Sequence, residues 1–122
     1  MNMTFGTFLK EKREKKEITL RKIAEKLGCS APYWSDVEKG YRNPPKYETL
    51  LQVSEILGMS TDEKNLMFDL AGAARDYIAP DLCDYIMNRS YVAAALRVAR
   101  DLDAGEEDWK LIMNILEKQR EE

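Results

Sequence analysis

Two short apolar segments on either side of a glycine constrain the fold of this chain more than any other feature. In the first segment, apolar residues recur at the spacing of a helix with one buried face: Leu20, Ile23, Ala24 and Leu27. Gly28 follows, where a helix end favours positive φ. Trp34 and Val37 form the apolar face of the second segment, which ends at Gly40. The spacing predicts two short helices joined by a tight turn.

Residues that favour helix ends flank both segments. Thr19 and Ser30 stand just before the two segments, where a hydroxyl can accept hydrogen bonds from free backbone N–H groups. Pro32 falls in the first turn of the second segment, where its missing N–H is harmless. Two short helices joined by a short turn containing glycine describe a helix-turn-helix.

The surrounding residues resemble a known family. The run AEKLGCSAPYWSDVEKGYRNP, followed by TLLQVSEILG, is similar to the lambda-repressor-like (XRE) helix-turn-helix family over roughly Met3 to Gly58. The positions that agree in register are Ala24, Gly28, Ser30, Val37, Glu38, Gly40 and Pro44. The resemblance implies an all-α, five-helix head that binds operator DNA as a dimer.

In such a head the second helix of the motif, predicted here over 31–39, enters the major groove. Trp34 and Val37 are predicted to point inward. The side chains left for the groove are Ala31, Pro32, Ser35, Asp36 and Lys39. Tyr33 lies at the border, where its ring can pack against the core or its hydroxyl can reach a phosphate.

The groove-facing set predicts an unusual base readout. Ala31 and Pro32 can contact a thymine methyl group, and Asp36 can accept from a cytosine amino group while repelling phosphates. Many relatives carry Gln or Arg at these positions. The departures leave open a second interpretation, in which the chain is a protein–protein adaptor or antitoxin-like partner that keeps the fold with weak or no DNA readout.

Contacts to the DNA backbone are predicted at two places. Thr19 and Arg21 lie at the start of the first helix of the motif, and a helix N-terminus suits an anion. Arg42 and Asn43, with Tyr41, lie in the loop after the groove helix. Such contacts fix the position of a protein on DNA and carry no sequence information.

The resemblance also implies an ion pair between Arg13 and Glu38. Arg13 falls on a first helix predicted from about Thr4 to Lys16, so the pair would tie this helix to the groove helix. The alternative is two unrelated surface charges. As an exposed pair it is expected to contribute little stability and to act mainly on orientation.

Further helices follow the motif. A fourth is predicted over Tyr47–Leu57, and a capping box of Ser60 and Glu63 opens a fifth. The predicted apolar set of this fifth helix is Leu66, Met67, Leu70, Ala71 and Ala74. Beyond Ile78 the pattern predicts three short amphipathic helices, which begin at Pro80, after Ser90 as a cap, and after Gly105.

These short helices cannot stand alone, because a short amphipathic helix needs a surface to pack on. The sequence therefore predicts a DNA-binding domain over 1–77 and a helical extension over 78–122. We expect the extension to form a homodimer or to bind a partner protein. The alternative is that it only enlarges the core of the head.

Charge supports this division. Residues 1–58 contain 11 Lys and Arg against 8 Asp and Glu, whereas residues 59–122 contain 8 against 14. Such asymmetry is typical of a nucleic-acid-facing part joined to something else. A solvated surface would also explain it, since the excess of three positive charges in the first part is modest.

Several function classes find no support in the sequence. The chain has no histidine, no glycine-rich phosphate loop and no cysteine pair at metal spacing, so we predict no enzyme activity, cofactor or metal. Cys29 is interpreted as a core thiol. No apolar run reaches the ~20 residues of a membrane span, and no secretory signal is visible, which favours the cytoplasm.

The sequence as a whole predicts a sequence-specific transcription regulator, most simply a repressor, that binds double-stranded operator DNA as a homodimer. The adaptor or antitoxin-like interpretation stays open beside it.

Overall fold

A computed structural model of the chain describes residues 3–121, which contain eight α-helices and no strand. The helices are α1 (Phe5–Lys15), α2 (Leu20–Leu27), α3 (Ala31–Lys39), α4 (Tyr47–Ile56), α5 (Thr61–Ala74), α6 (Pro80–Met87), α7 (Ser90–Asp101) and α8 (Glu106–Glu121). The predicted all-α class is confirmed. The chain divides into two compact units: the first ends at Tyr85, and the second begins at Ile86.

Hydroxyl side chains begin four of the first five helices. Thr4 caps α1 in a capping box with Thr7, and Ser60 caps α5 in a capping box with Glu63. Thr19 and Ser30 cap α2 and α3 by accepting from backbone N–H groups three residues later. Each cap satisfies a backbone donor that has no partner within its helix.

One apolar core holds the first unit together. Its largest fully buried side chains are Leu9, Ile23, Trp34, Val37, Leu50, Val53 and Met67. Helix α3 packs against both α1 and α2, α1 also packs against α5, and α2 packs against α4. The core therefore fixes α3 from two sides.

A glycine allows α1 and α3 to approach closely. A Cβ atom added to Gly6 would lie 2.0 Å from the backbone oxygen of Glu38. No side chain fits at that distance, and the backbone of α3 cannot move aside without leaving the core. The contact brings the first turn of α1 directly onto the last turn of α3.

The structure corrects the predicted apolar face of α5. Leu66 is 43% exposed and Ala74 is exposed, whereas Phe68, which the sequence analysis left out, is buried. The ring of Phe68 lies 5.5 Å from that of Tyr47 on α4, centroid to centroid. The buried face of α5 consists of Met67, Phe68, Ala71 and Gly72, and it is shifted by about one residue from the predicted one.

The prediction that Ser90 caps α7 is wrong. Ser90 is already the first helical residue, and Arg89 is the N-cap, with φ −132° and no side-chain capping hydrogen bond. A cap needs a non-helical backbone, so a serine one position too late cannot serve. Helix α4 likewise ends one residue earlier than predicted, with Leu57 as its C-cap.

The second unit contains α7 and α8, joined by a turn at residues 102–105. Leu102 is the C-cap of α7, and Asp103 takes a positive φ of 56° in the turn. An open, mostly apolar cleft of about 410 Å³ lies between the two helices near this turn. Neither helix contains a buried residue.

Candidate nucleic-acid interface

The turn between α2 and α3 is fixed by backbone hydrogen bonds. Gly28 ends α2 in the left-handed region, with φ 73°. The N–H of Cys29 then donates to the carbonyl of Ala24 at 2.9 Å, the bond of a Schellman motif. Ser30 begins α3 two residues after the glycine. The angle between α2 and α3 thus follows from local signals.

The same device ends α3 and starts the loop that follows. Gly40 has φ 82°, and the N–H of Tyr41 donates to the carbonyl of Asp36 at 2.9 Å. The chain leaves the helix here at a defined angle and enters the segment 41–46.

Helix α3 has a buried side and an open side. Trp34 and Val37 are fully buried, which confirms that they point inward. Of the predicted groove-facing side chains, Pro32 and Lys39 are exposed, whereas Ala31, Ser35 and Asp36 are half-buried. A ligand can therefore reach α3 on the side that these residues occupy.

A buried ion pair joins α3 to α1. Arg13 donates to both carboxylate oxygens of Glu38, from Nε at 2.8 Å and from Nη2 at 3.0 Å. The two side chains are only 8% and 4% exposed, so the expectation of an exposed pair is wrong. Glu38 lies in the contact of α1 with α3, and that packing excludes water from the pair.

Glu38 also accepts a hydrogen bond that the sequence analysis missed. The indole Nε1 of Trp34 donates to Glu38 Oε2 at 2.9 Å, one helical turn away. Arg13 further donates from Nη1 to the carbonyl of Ile18 at 2.8 Å. The hydrogen bond to Glu38 is the main cause that raises the pKa of Arg13. The carboxylate thus links α1 to α3, and Arg13 also links α1 to the loop residue Ile18, while no charge in this cluster is left unpaired.

Arg42 lies over the ring of Tyr33, with its guanidinium carbon 5.1 Å from the ring centroid. This cation–π contact orients an exposed arginine beside α3. Tyr33 itself packs partly against the core. The structure therefore brings two of the predicted site residues together, and Tyr33 supports Arg42 through its ring.

An open cleft of about 840 Å³ adjoins this contact. Its lining includes Tyr33, Arg42 and Asn43 of the predicted site, together with two cations that the sequence analysis did not single out, Lys46 and Arg75. Arg75 Nη2 donates to the carbonyl of Pro44 at 2.6 Å and so holds the loop 41–46 in place. Three basic side chains consequently surround one concave surface.

Lys46 could have been predicted to lie at this cleft from the sequence, whereas Arg75 could not. Lys46 is the N-cap of α4, and its side chain accepts no hydrogen bond from the first N–H groups of that helix. A lysine between a Pro-Pro pair and a predicted helix was a signal for this position. Arg75 lies 31 residues from Pro44, and no local pattern connects them.

Thr19 and Arg21 lie at the start of α2 and do not line the 840 Å³ cleft. Thr19 Oγ1 accepts from the N–H of Lys22 at 3.0 Å, which leaves the hydroxyl proton free to donate elsewhere. Both residues are exposed. They offer a second point of contact for an anion, separate from Arg42.

Neither cysteine is bonded to another residue in a disulfide. Cys29 is half-buried beside the core, and burial raises the pKa of its thiol. Among residues 3–121, no group of three or more His, Cys, Asp or Glu residues is placed to hold a metal ion. Within the same residues, no helix is long and apolar enough to cross a membrane.

Comparisons with known proteins agree with this geometry. The family model described as "Helix-turn-helix domain" matches residues 4–67. The chain is 29% identical over 118 residues to the uncharacterized HTH-type transcriptional regulator YqaE of Bacillus subtilis, covering 97% of this chain and 94% of that protein. No solved structure matches the chain.

Two further relatives match about half of the chain. The HTH-type transcriptional regulator ImmR of Bacillus subtilis is 40% identical over 60 residues, which are 49% of this chain and 46% of ImmR. The uncharacterized HTH-type transcriptional regulator MT0491 of Mycobacterium tuberculosis is 37% identical over 57 residues, 47% of this chain and 40% of that protein.

Proposed function

This chain belongs to the XRE-like helix-turn-helix family of transcriptional regulators, and we propose that it represses transcription in the cytoplasm as a homodimer bound to operator DNA. In this proposal residues 1–77 bind the DNA, and residues 78–122 bring two copies together. Two half-sites read through a two-fold axis are the common arrangement for such heads.

The position of α3 carries the proposal. Its inward side is fixed by Trp34 and Val37, and its last turn is tied to α1 by the ion pair of Arg13 with Glu38. A helix held this firmly presents its open side at a constant angle, as reading base edges requires. We assign base contacts to Ala31, Pro32, Ser35 and Asp36, which are four of the five predicted groove residues.

We assign phosphate contacts to exposed basic and polar side chains around α3. Arg42, oriented by Tyr33, is the strongest candidate, and Lys39 and Asn43 flank it. At the start of α2, Thr19 and Arg21 supply the second contact. Each phosphate neutralised by a cation releases counterions, so these contacts make DNA binding steeply dependent on salt.

The second unit supports the homodimer. Its helices α7 and α8 expose apolar side chains, and a contiguous apolar surface of this kind is typical of an interaction site. A dimer would place two α3 helices on one DNA duplex and would double the number of phosphate contacts.

The adaptor interpretation is the second candidate, and Asp36 favours it. Its carboxylate lies on the open side of α3, where it repels phosphates, and residues 59–122 carry a net negative charge. An adaptor would bind a protein with a salt dependence unrelated to phosphate number, so the slope of affinity against salt separates the two functions.

The experiment measures DNA affinity at several salt concentrations for the wild type and for Arg42→Ala. We expect Arg42→Ala to weaken binding about equally on all DNA sequences and to reduce the slope of log affinity against log salt by about 1 per protomer, or about 2 for the dimer. Arg97→Ala removes the same charge from an exposed position on α7 and is the matched control; it should change neither quantity.

A second variant tests base readout. Asp36→Ala removes a cytosine acceptor and a phosphate repulsion, so it should relax specificity at one base pair while non-specific affinity holds or rises. DNA binding that is absent, or that does not depend on salt, would contradict the regulator and support the adaptor. A loss on Arg42→Ala that is confined to one operator sequence would contradict the phosphate role.

A further inference from the structure

Helix α8 exposes more apolar surface than its own neighbour can cover. Its exposed apolar residues are Trp109, Leu111, Ile112, Met113, Ile115 and Leu116. At 100° per residue they span roughly 200° of the helix circumference. One packed helix covers about half of such an arc, so α8 has room for two neighbours.

Helix α7 accounts for one side of this arc. Trp109 and Ile112 line the 410 Å³ cleft together with Val98 and Leu102. Leu111 and Ile115 lie outside that lining and are 59% and 49% exposed. They form the side of α8 that α7 leaves open.

Lys118 lies on this open side, and Asp108 lies at its border with the cleft, which Asp108 also lines. Asp108, Leu111, Ile115 and Lys118 follow one another at intervals of three, four and three residues, which places all four on one face of the helix. We call these four residues the α8 stripe. It reads acid, apolar, apolar, base, and its spacing is symmetric about Met113.

We propose that a second copy of this chain docks on the α8 stripe with its own α8 antiparallel. A two-fold axis that crosses the stripe at the height of residue 113 then sets Asp108 against the partner's Lys118 and Leu111 against the partner's Ile115. Because the axis generates each contact twice, the pairing contains two ion pairs and two apolar pairs. The inference rests on the proposed homodimer and specifies which surface forms it.

The charges select the antiparallel direction. In a parallel pair, equal positions face each other, so Asp108 would meet an aspartate and Lys118 a lysine. The first turn of α8 also carries Glu106 and Glu107, and its last turn carries Arg120. Because Glu117 and Glu121 balance Lys118 and Arg120, antiparallel packing sets the acidic first turn of each helix beside a last turn without net charge. It also opposes the two helix dipoles.

The test is the dimer dissociation constant of the full chain, measured by sedimentation equilibrium at low salt. Lys118→Glu changes both ion pairs into repulsions, and we expect the constant to rise about fourfold to thirtyfold. Lys118 is the better first target because Asp108 also accepts a hydrogen bond from the N–H of Gly105 at 2.9 Å, which helps to start α8.

Two further variants complete the design. Adding Asp108→Lys to Lys118→Glu restores opposite charges across the pair, so the double variant should dimerise more tightly than Lys118→Glu alone. Glu117→Lys is the matched control, since it changes the charge by an equal amount roughly 140° around the helix from the stripe. It should leave the dissociation constant within about twofold.

The outcomes separate this inference from the proposed function. A wild-type chain that is monomeric at all concentrations would overturn the homodimer and this inference with it. A wild-type dimer that Lys118→Glu weakens no more than Glu117→Lys does would overturn the antiparallel α8 pairing alone. Weakening by Lys118→Glu with partial recovery in the double variant supports it.

Discussion

Both units of this chain consist of amphipathic helices, but the apolar side chains are largely buried in the first unit and exposed in the second. In the first unit, α1 to α5 bury theirs against one another, and Trp34 reaches 0% exposure. In the second unit, α7 and α8 bury no residue, and the only other tryptophan of the chain, Trp109, is 37% exposed. The first unit supplies its own packing partners, whereas α7 and α8 leave much of their apolar surface exposed.

The ion pairs of the two units differ in the same way. Arg13 and Glu38 are buried and share hydrogen bonds with Trp34 and Ile18. In the second unit, Lys110 reaches Glu106 and Glu107 at 3.7 Å while 57% of its side chain is exposed. A buried pair orients the helices that carry it, whereas an exposed pair contributes little.

The first unit fixes the geometry of α3, whereas the second unit is the proposed site of association. Helix α3 keeps a fixed position because its core and its ion pair are complete within one chain. Helices α7 and α8 keep apolar surface available, which suits the binding of a second copy. Under this account, changes in the first unit alter stability and DNA binding, and changes in the second unit alter the oligomeric state.

The largest expected effect comes from removing the buried tryptophan. Trp34→Ala empties a fully buried site and leaves Glu38 with one donor fewer, so we expect a loss of about 3–5 kcal/mol in the free energy of unfolding. That is a large part of the ~5–15 kcal/mol that stabilises a typical domain. Circular dichroism during urea unfolding measures it.

Trp109→Ala is the matched control in the second unit. It should leave the unfolding of the first unit unchanged, and it makes Trp34 the only tryptophan, so that fluorescence reports on the first unit alone. If the two substitutions destabilised the chain equally, the conclusion that only the first unit has a complete core would be wrong.

A smaller effect is expected from the buried ion pair. Glu38→Gln leaves the Arg13 guanidinium buried without its counter-charge, which typically costs about 3 kcal/mol. The loss should appear in urea unfolding and should also weaken DNA binding, because α3 is less firmly held. Lys110→Met breaks the exposed pairs of the second unit, and no measurable change in unfolding is expected from it.

The smallest effect concerns the start of α5. Two hydrogen bonds lower the pKa of Glu63 from 4.5 to about 2. The larger effect comes from the side chain of Lys12 and the smaller from the backbone N–H of Ser60. Because the folded value is the lower one, this contribution to stability is fully present above pH 4.5 and is lost as the pH falls towards 2.

The measurement compares the urea unfolding midpoint of the wild type with that of Glu63→Gln from neutral to acid pH. The wild type should unfold at the higher midpoint near pH 7, and the difference should shrink on acidification. A difference that stays constant over this range would show that the charge of Glu63 does not stabilise the first unit.

Local signals in the sequence predicted much of the first unit. Caps at Thr19 and Ser30 and left-handed glycines at 28 and 40 depend on neighbours within one helical turn, so α2 and α3 were found at their observed bounds. The contact of Trp34 with Glu38 was also within reach, because the two residues are four apart on one helix.

Other features depend on packing between distant segments, which no local pattern describes. The burial of Arg13 follows from the close approach of α1 to α3 at Gly6. The stacking of Arg42 on Tyr33 and the hydrogen bond of Arg75 to Pro44 require the loop 41–46 in its folded position. At Ser90, residue type alone misplaced the cap by one position.

The central claim is that the first unit is complete in itself and the second brings two copies together. Sedimentation velocity of the full chain and of a chain ending at Met87, the last residue of α6, tests it most directly. We expect the full chain to be a dimer and the shortened chain to be a folded monomer whose first unit melts as before. A shortened chain that is still dimeric, or that no longer folds, would contradict it.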